Sequence, residues 1–195
     1  MGSEMCIRDS SHPADFTPVC TSEVATFAAL ADDFAKLNTA LLGLSVDSVS
    51  SHLAWIKNIQ ERIRFNDYSG QQISFPIIAD MKMEVAKKYG MIQPYASDTK
   101  AVRAVFVVDP KGKIRAILYY PLSTGRNFEE IKRLLEALQT TDKYGVATPA
   151  NWKPGESVLA GAPSDSQAMY ERIEKTPAEL YCQDWFFCTK DAPLA

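Results

Sequence analysis

The sequence predicts an α/β fold built around a mixed sheet. Between about residue 20 and residue 140, apolar residues recur at helical spacings in some segments and form short runs of strand length in others. Near the end of this stretch, two β-rich runs flank a four-residue turn, which predicts an antiparallel hairpin. Helices and strands that alternate and close on a hairpin and a helix are typical of an α/β domain with both parallel and antiparallel strand pairs.

The first helix is predicted over residues 21–37, with Thr21 or Ser22 as its cap. A strand is expected at 41–46, and a second helix follows the serine-rich residues 48–51. Spacings of three and four residues predict the buried faces of the two helices. For the first helix this face is Val24, Phe27, Ala31 and Phe34; for the second it is Leu53, Ile56, Ile59 and Ile63.

The second half adds a strand at 77–79 and a short helix at 84–89 that ends at Gly90, a natural helix stop. The hairpin is expected to pair 102–108 with 113–120, because the residues between them have strong turn chemistry. A last regular helix begins after Asn127, with one apolar face made of Phe128, Ile131, Leu135 and Leu138.

The composition changes after Gly145, where prolines become frequent and regular patterns are few. We therefore divide the chain into an N-terminal segment (1–10), a main domain (11–144) and a C-terminal arm (145–195). One short helix is predicted in the arm, at 164–175. Exposed aromatic clusters are unfavourable in water, so the arm's cluster should pack on the main domain or on a second subunit. It consists of Tyr181, Trp185, Phe186 and Phe187.

Charge and cysteine usage exclude several classes of protein. The 195 residues include 21 basic and 24 acidic side chains, which leaves no positive surface for nucleic acid or an anionic membrane. No apolar run approaches the roughly 20 residues of a membrane helix, and no secretory signal is visible. Four cysteines are too few for a disulfide-rich secreted scaffold of this length. We expect a cytoplasmic protein whose cysteines matter for reactivity.

Cys20 lies at the entrance of the first predicted helix. The unpaired amides and positive dipole end of a helix favour a thiolate there. The helix end alone supplies only part of the stabilisation required, so a nearby cation is needed. The alternative is an inert core cysteine, because free cysteine is often buried. Thr21, Ser22 and Glu23 follow Cys20, which excludes a thioredoxin-type pair of cysteines.

The spacing Pro13-x-x-x-Thr17-x-x-Cys20 resembles the signature of the peroxiredoxins. The string from Ser11 to Thr21 is similar to the 1-Cys, or peroxiredoxin 6, subfamily, and the resemblance continues to the C-terminus. Four further strings agree with it: residues 43–47 (GLSVD), 75–80 (FPIIAD), 102–106 (VRAVF) and 120–127 (YPLSTGRN).

The resemblance implies a thioredoxin-like fold with a mixed central sheet and a C-terminal dimerisation arm. It makes Cys20 the peroxidatic cysteine, gives Thr17 a hydrogen bond to the thiolate and the peroxide, and makes Pro13 a shield for the sulfur. Arg103 would hold the thiolate and polarise the peroxide, which suits a planar, permanently charged donor. Without the resemblance, a lone arginine on a strand is more commonly a surface residue.

The resemblance also assigns His12 and Arg126. His12 matches the subfamily's active-site histidine, which orients peroxide; the alternative is a half-buried imidazole with satisfied hydrogen bonds. Arg126 matches a second, substrate-binding arginine that shares a charge network with Glu23. The remaining histidine, His52, is expected to be exposed on the outer part of its helix.

Cys182 and Cys188 lie in the arm, where no nearby histidine completes a zinc site. The tail resembles bacterial and archaeal members in which a C-terminal cysteine condenses with the peroxidatic one. On that resemblance Cys188 is the resolving residue and Cys182 exchanges with it. Two unreactive thiols are the alternative.

The start of the chain departs from the family, because Met1 to Ser10 matches nothing in it. Relatives carry strands ahead of the segment that begins at Ser11. We therefore expect those strands to be missing, with a sheet edge exposed and part of the core lost.

The sequence thus predicts a thiol peroxidase that reduces hydrogen peroxide and alkyl hydroperoxides through a sulfenic acid, without metal or other cofactor. The expected partners are a thioredoxin-like protein or glutathione as reductant, and a second copy in a homodimer or a larger ring. An oligomeric redox sensor or chaperone, and an inactive thioredoxin-fold module, are the alternatives.

Overall fold

The structure, a computed structural model, describes residues 5–92 and 102–192, with side chains described from residue 11 onward. Its contacts divide the chain into two compact units, residues 1–128 and 129–195. Within the described ranges, no helix is long and apolar enough to cross a membrane.

Five strands of the first unit form one sheet: β1 (Met5–Ser11), β2 (Thr39–Ser45), β3 (Ile77–Ala79), β4 (Arg103–Val108) and β5 (Ile114–Tyr120). Their order is β3-β2-β1-β4-β5. The pairs β1–β2 and β2–β3 are parallel, whereas β1–β4 and β4–β5 are antiparallel. The mixed sheet and its hairpin are confirmed.

No strand was predicted among residues 1–10, but Met5–Ser11 form β1. It occupies the centre of the sheet, between β2 and β4, with an irregularity between Ile7 and Ser10. At its end, the buried Ser11 hydroxyl donates to the carbonyl of Val102 (2.6 Å) and accepts from the amide of Ala104 (3.1 Å). The segment that follows β1 is therefore tied to the middle of the sheet.

The helices are α1 (Pro18–Ala29), α2 (Ala31–Lys36), α3 (Val49–Arg62), α4 (Glu84–Lys88), α5 (Phe128–Tyr144) and α6 (Ser166–Glu174). The single helix expected over 21–37 is therefore two helices that break at Leu30. The first begins earlier than predicted, because Thr17 is extended and Pro18 takes the first helical position, where its fixed φ suits a helix start.

The predicted buried face of α3 is partly wrong. Ile59 is buried as expected, but the other buried residues are His52 and Trp55, whereas Leu53 is 64% exposed. The buried face of α3 differs from the one predicted by apolar spacing because His52 contacts the buried carboxylate of Asp15, in the segment after β1. A polar contact between distant parts of the chain thus outweighs the local apolar spacing.

The second unit contains α6 and a small antiparallel sheet of β6 (Val158–Leu159), β7 (Tyr181–Asp184) and β8 (Phe187–Lys190), in the order β6-β8-β7. A disulfide links Cys182 on β7 to Cys188 on β8. Tyr181, Phe186 and Phe187 are exposed in the single chain.

Candidate active site

Cys20 lies in the first turn of α1 and is completely buried. Its thiol takes part in no disulfide. The turn around it is well packed, because Cys20 belongs to a buried cluster that includes Val24, Ala25 and Trp55. The sulfur therefore combines the position of a helix N-terminus with exclusion of bulk water.

Arg103, the first residue of β4, brings a buried guanidinium to the sulfur. Its Nη1 and Nη2 atoms both lie 3.7 Å from the Sγ atom of Cys20. The same Nη2 donates to the carbonyl oxygen of Leu122 at 2.9 Å, which fixes the plane of the group. The structure thus brings together the thiol and the cation that the sequence reasoning required.

Glu23 connects this guanidinium to a second one. Its carboxylate accepts hydrogen bonds from Nη1 of Arg103, and from Nε (3.0 Å) and Nη2 (2.6 Å) of Arg126. All three side chains are buried. These three side chains comprise two guanidinium groups and one carboxylate, so among them there is one positive charge in excess. A thiolate on Cys20 would neutralise it.

Arg126 is held from several directions. Its backbone amide donates to Glu23 at 2.9 Å, and its Nη1 donates to the carbonyls of Ser11 and Ala104 at 3.2 Å. The guanidinium carbon lies 5.7 Å from the ring centre of Phe27. Arg126 therefore joins the end of β1, strand β4 and helix α1 around one buried charge.

Pro13 and Thr17 flank the same loop. Pro13 is buried, and the Thr17 hydroxyl donates to the carbonyl of Ala14 at 2.9 Å. A bond from Thr17 to the thiolate, which the resemblance implies, requires this hydroxyl to rotate. The roles of both residues stay predictions.

His12 and His52 meet at Asp15, and the expected exposure of His52 is wrong. The Nε2 atom of His12 lies 2.9 Å from Oδ1 of Asp15, and Nδ1 of His52 lies 2.8 Å from Oδ2. Ser51 donates its hydroxyl to the same Oδ2 at 2.7 Å. Histidine and aspartate also bind metal ions, but these distances are those of direct hydrogen bonds.

Burial and hydrogen bonding set the charges of this group. Burial lowers the pKa of His12 below its usual 6.5, although the hydrogen bond and negative charge of Asp15 act to raise it. Burial would raise the pKa of Asp15, but hydrogen bonds from His12, Ser51 and His52 outweigh it and hold that pKa below its usual 3.8. The Asp15 carboxylate therefore lies between two imidazoles. The lowered pKa of His12 favours its neutral form.

The lowered pKa of His12 predicts a loss of stability in acid. The unfolded chain binds this proton more readily than the folded one, so the free energy of unfolding falls as the pH drops through 6.5. The lowered pKa of Asp15 causes a further fall in the free energy of unfolding as the pH drops below 3.8. Urea unfolding at about pH 7.5 and about pH 5.5 should give the lower midpoint in acid, and a smaller difference for His12→Gln. Equal differences in the two proteins would contradict this assignment.

Asp15 and the buried position of His52 were not predicted from the sequence. The only local signal was the spacing of Asp15 three residues after His12, which lets both side chains face one another in a short turn. His52 lies 37 residues further along the chain than Asp15, and no local pattern points to that contact.

Comparisons with known proteins agree with this geometry. The AhpC/TSA family matches residues 10–117, and the C-terminal domain of 1-Cys peroxiredoxin matches residues 137–176. A peroxiredoxin of Methanosarcina mazei is 57% identical over 180 residues, which cover 92% of this chain and 82% of the relative.

Two solved structures share the fold over 98% of this chain. The C45S mutant of peroxiredoxin 6 from Arenicola marina has a TM-score of 0.83 at 32% identity, with 87% of that chain covered. A yeast mitochondrial 1-Cys peroxiredoxin, studied for thiol resolution via glutathione/thioredoxin systems, has a TM-score of 0.80 at 37% identity, with 88% covered. The thioredoxin-like fold is confirmed.

A thiol in the first turn of a helix, held against a buried cation, is a form of cysteine chemistry found in several enzyme classes. The family matches over both parts of the chain, together with relatives of high identity, decide between those classes. The chain belongs to the peroxiredoxin family, whose members are peroxidases.

Proposed function

We propose that this protein reduces hydrogen peroxide and small alkyl hydroperoxides with Cys20 as the attacking nucleophile. The thiolate attacks the terminal peroxide oxygen, the O–O bond breaks, and the sulfur becomes a sulfenic acid. The alkoxide or hydroxide that leaves takes up a proton and departs as an alcohol or water. Two electrons come from sulfur, so no metal or other cofactor is needed.

The observation that carries the proposal is the buried guanidinium of Arg103 beside the thiol. Arg103 faces the sulfur through both terminal nitrogens, while Glu23 binds it from the other side. A charged donor of this kind stabilises a thiolate and can also bond a peroxide oxygen as negative charge develops there. Arg126 completes the binding frame, and His12, Pro13 and Thr17 form the loop that a peroxide would meet.

The arm supports a proposal for how the sulfenic acid is resolved. The thiol of Cys188 would attack the Cys20 sulfenic acid and release water, and Cys182 would then displace Cys20. The products are a free Cys20 and a Cys182–Cys188 disulfide, which is the arrangement of these three cysteines here. A thioredoxin-like protein or glutathione would then reduce the arm, in a cytoplasmic homodimer or a larger ring.

Peroxide turnover tests the proposed function. Reduced protein at catalytic concentration should consume hydrogen peroxide in the presence of thioredoxin or glutathione, and Cys20→Ser should abolish consumption. Cys182→Ser is a suitable control for the first turnover, because the proposal gives that residue no part in peroxide attack. A wild type that changes its assembly on oxidation but shows no turnover would favour the redox sensor or chaperone instead.

The proposed exchange predicts opposite behaviour of the two arm cysteines. One equivalent of peroxide added to reduced Cys182→Ser should trap a Cys20–Cys188 disulfide, because the displacing thiol is absent. We expect this bond to join two subunits, so a covalent dimer should accumulate on non-reducing gels. Cys188→Ser should form no such dimer and should progress more readily to sulfinic acid.

Peptide mass spectrometry of the oxidised variants identifies the linked cysteines. If Cys182→Ser forms no bond to Cys20, the arm takes no part in resolution. The protein then works as a one-cysteine peroxidase that depends on an external thiol.

A further inference from the structure

The carboxylate of Asp15 is the centre of a buried three-residue chain that the proposed chemistry does not use. Its Oδ1 atom contacts His12, and its Oδ2 atom contacts His52 and Ser51. The pKa of Asp15 lies below its usual 3.8, so near neutral pH its carboxylate is ionised and both oxygens can only accept hydrogen bonds. Both imidazole nitrogens that face it must therefore be N–H donors.

This requirement fixes the protonation pattern of His12. With its hydrogen on Nε2, a neutral His12 keeps Nδ1 as the only ring atom that can accept a hydrogen bond. Arg126, a permanent cation, lies near enough to disfavour a second proton on the ring. The imidazole is also held in place by Trp55, whose ring centre is 4.9 Å away and whose Nε1 donates to Thr21, the residue after Cys20.

The second histidine is placed as a donor to the same carboxylate. His52 directs Nδ1 at Asp15, while its buried Nε2 has no hydrogen-bond partner among the described residues. An N–H at that nitrogen would be buried without an acceptor, which is costly. His52 therefore supplies one N–H, on Nδ1, to the carboxylate.

We propose that Asp15 and His52 are positioning residues that hold His12 as the Nε2–H tautomer, so that its Nδ1 accepts the hydrogen bond of the peroxide O–H. This inference rests on the proposed function, because it requires that a peroxide binds beside His12. The charged and titratable groups that face His12 are Asp15, Arg126 and His52, and they act together to keep this tautomer.

Asp15→Asn tests the central contact. An amide offers one acceptor and one donor, so one imidazole must turn its lone pair towards residue 15, and the tautomer of His12 is no longer fixed. We expect kcat/KM for hydrogen peroxide to fall by about a hundredfold or more, as wrong tautomers do in other enzymes. Alkylation of Cys20 by iodoacetamide should change by less than about twofold, because Arg103 is untouched. An unchanged kcat/KM would overturn the proposal.

A matched pair of variants tests His52. In His52→Asn the amide nitrogen replaces Nδ1 as a donor to Asp15, whereas His52→Leu offers no donor. The first should stay within about threefold of wild-type kcat/KM, and the second should lose about tenfold. The acid limb of the pH profile should move only in His52→Leu, because a less satisfied Asp15 makes His12 easier to protonate. Equal activities and profiles for the two variants would overturn the role of His52.

Nitrogen NMR separates this inference from the proposed function. Nitrogen-15 shifts of the imidazoles distinguish an N–H from a bare nitrogen, with no need for turnover. The wild type should show His12 with Nε2 protonated and Nδ1 bare, and Asp15→Asn should lose that pattern. If the wild type reduces no peroxide, the proposed function fails, but this spectrum still decides whether Asp15 sets the tautomer.

Discussion

Arg103→Ala should lower the rate of peroxide reduction by about 10²–10³-fold, the usual effect of removing one preorganised donor from an anionic centre. Both terminal nitrogens of Arg103 face the Cys20 sulfur at 3.7 Å, so the variant loses the cation beside the sulfur and, under the proposed function, the donor for the peroxide oxygen. Glu23 and Arg126 remain paired in this variant. We therefore expect the free energy of unfolding to fall by much less than the activation free energy of peroxide reduction rises. Stopped-flow single turnovers measure the effect.

Two variants make this result specific. Arg103→Lys keeps the charge but loses the forked donor, so it should recover only part of the rate. Arg62→Ala removes an exposed arginine at the end of α3 and should react like the wild type. If Arg103→Ala alkylates and turns over as fast as Arg62→Ala, Arg103 does not stabilise the thiolate.

Glu23→Gln should have the largest effect on stability. It removes the single negative charge shared by two buried guanidinium groups, and breaking a buried pair in this way costs about 3–5 kcal/mol. The amide nitrogen of glutamine adds a donor where only acceptors fit. Urea unfolding should show a much lower midpoint, with the slope of the transition unchanged if unfolding stays two-state.

The surface pair of Glu130 and Arg133 provides the matched control. Glu130 is 41% exposed at its side chain, and its bonds to Arg133 resemble those in the buried cluster. Glu130→Gln should cost no more than about 1 kcal/mol, because exposed pairs contribute little. Adding Arg126→Met to Glu23→Gln should restore part of the lost stability, since it removes one of the two guanidinium charges that Glu23 binds. If Glu23→Gln and Glu130→Gln lowered the free energy of unfolding equally, Glu23 would not be the counter-ion that stabilises the two buried arginines.

Much of the sheet and the chemical centre could be predicted because their signals are local. The hairpin has its turn residues between two β-rich runs, and β3 was placed at its observed bounds. Cys20 was found from its position and its motif. Arg103 required the resemblance, since a single arginine on a strand carries no pattern of its own.

What could not be predicted depends on contacts between distant residues. Glu23 meets Arg103 across 80 residues of sequence, and the choice of His52 over Leu53 for burial depends on Asp15. Apolar periodicity predicts burial of leucine rather than histidine, and it contains no information on a carboxylate that is distant in the sequence. The central strand β1 was missed for a similar reason, because the strands on either side stabilise a segment with little apolar pattern.

The excess charge beside Cys20 also gives the folded site a preference among the oxidation states of sulfur. A thiolate balances the two arginines and the glutamate, and a sulfinate would do the same. A protonated sulfenic acid has no charge, so Arg103 loses an anionic neighbour at that stage, which is unfavourable in the interior. If the proposed function holds, the cluster should bind the reduced and the over-oxidised sulfur more firmly than the sulfenic acid, which is the state that a resolving thiol attacks.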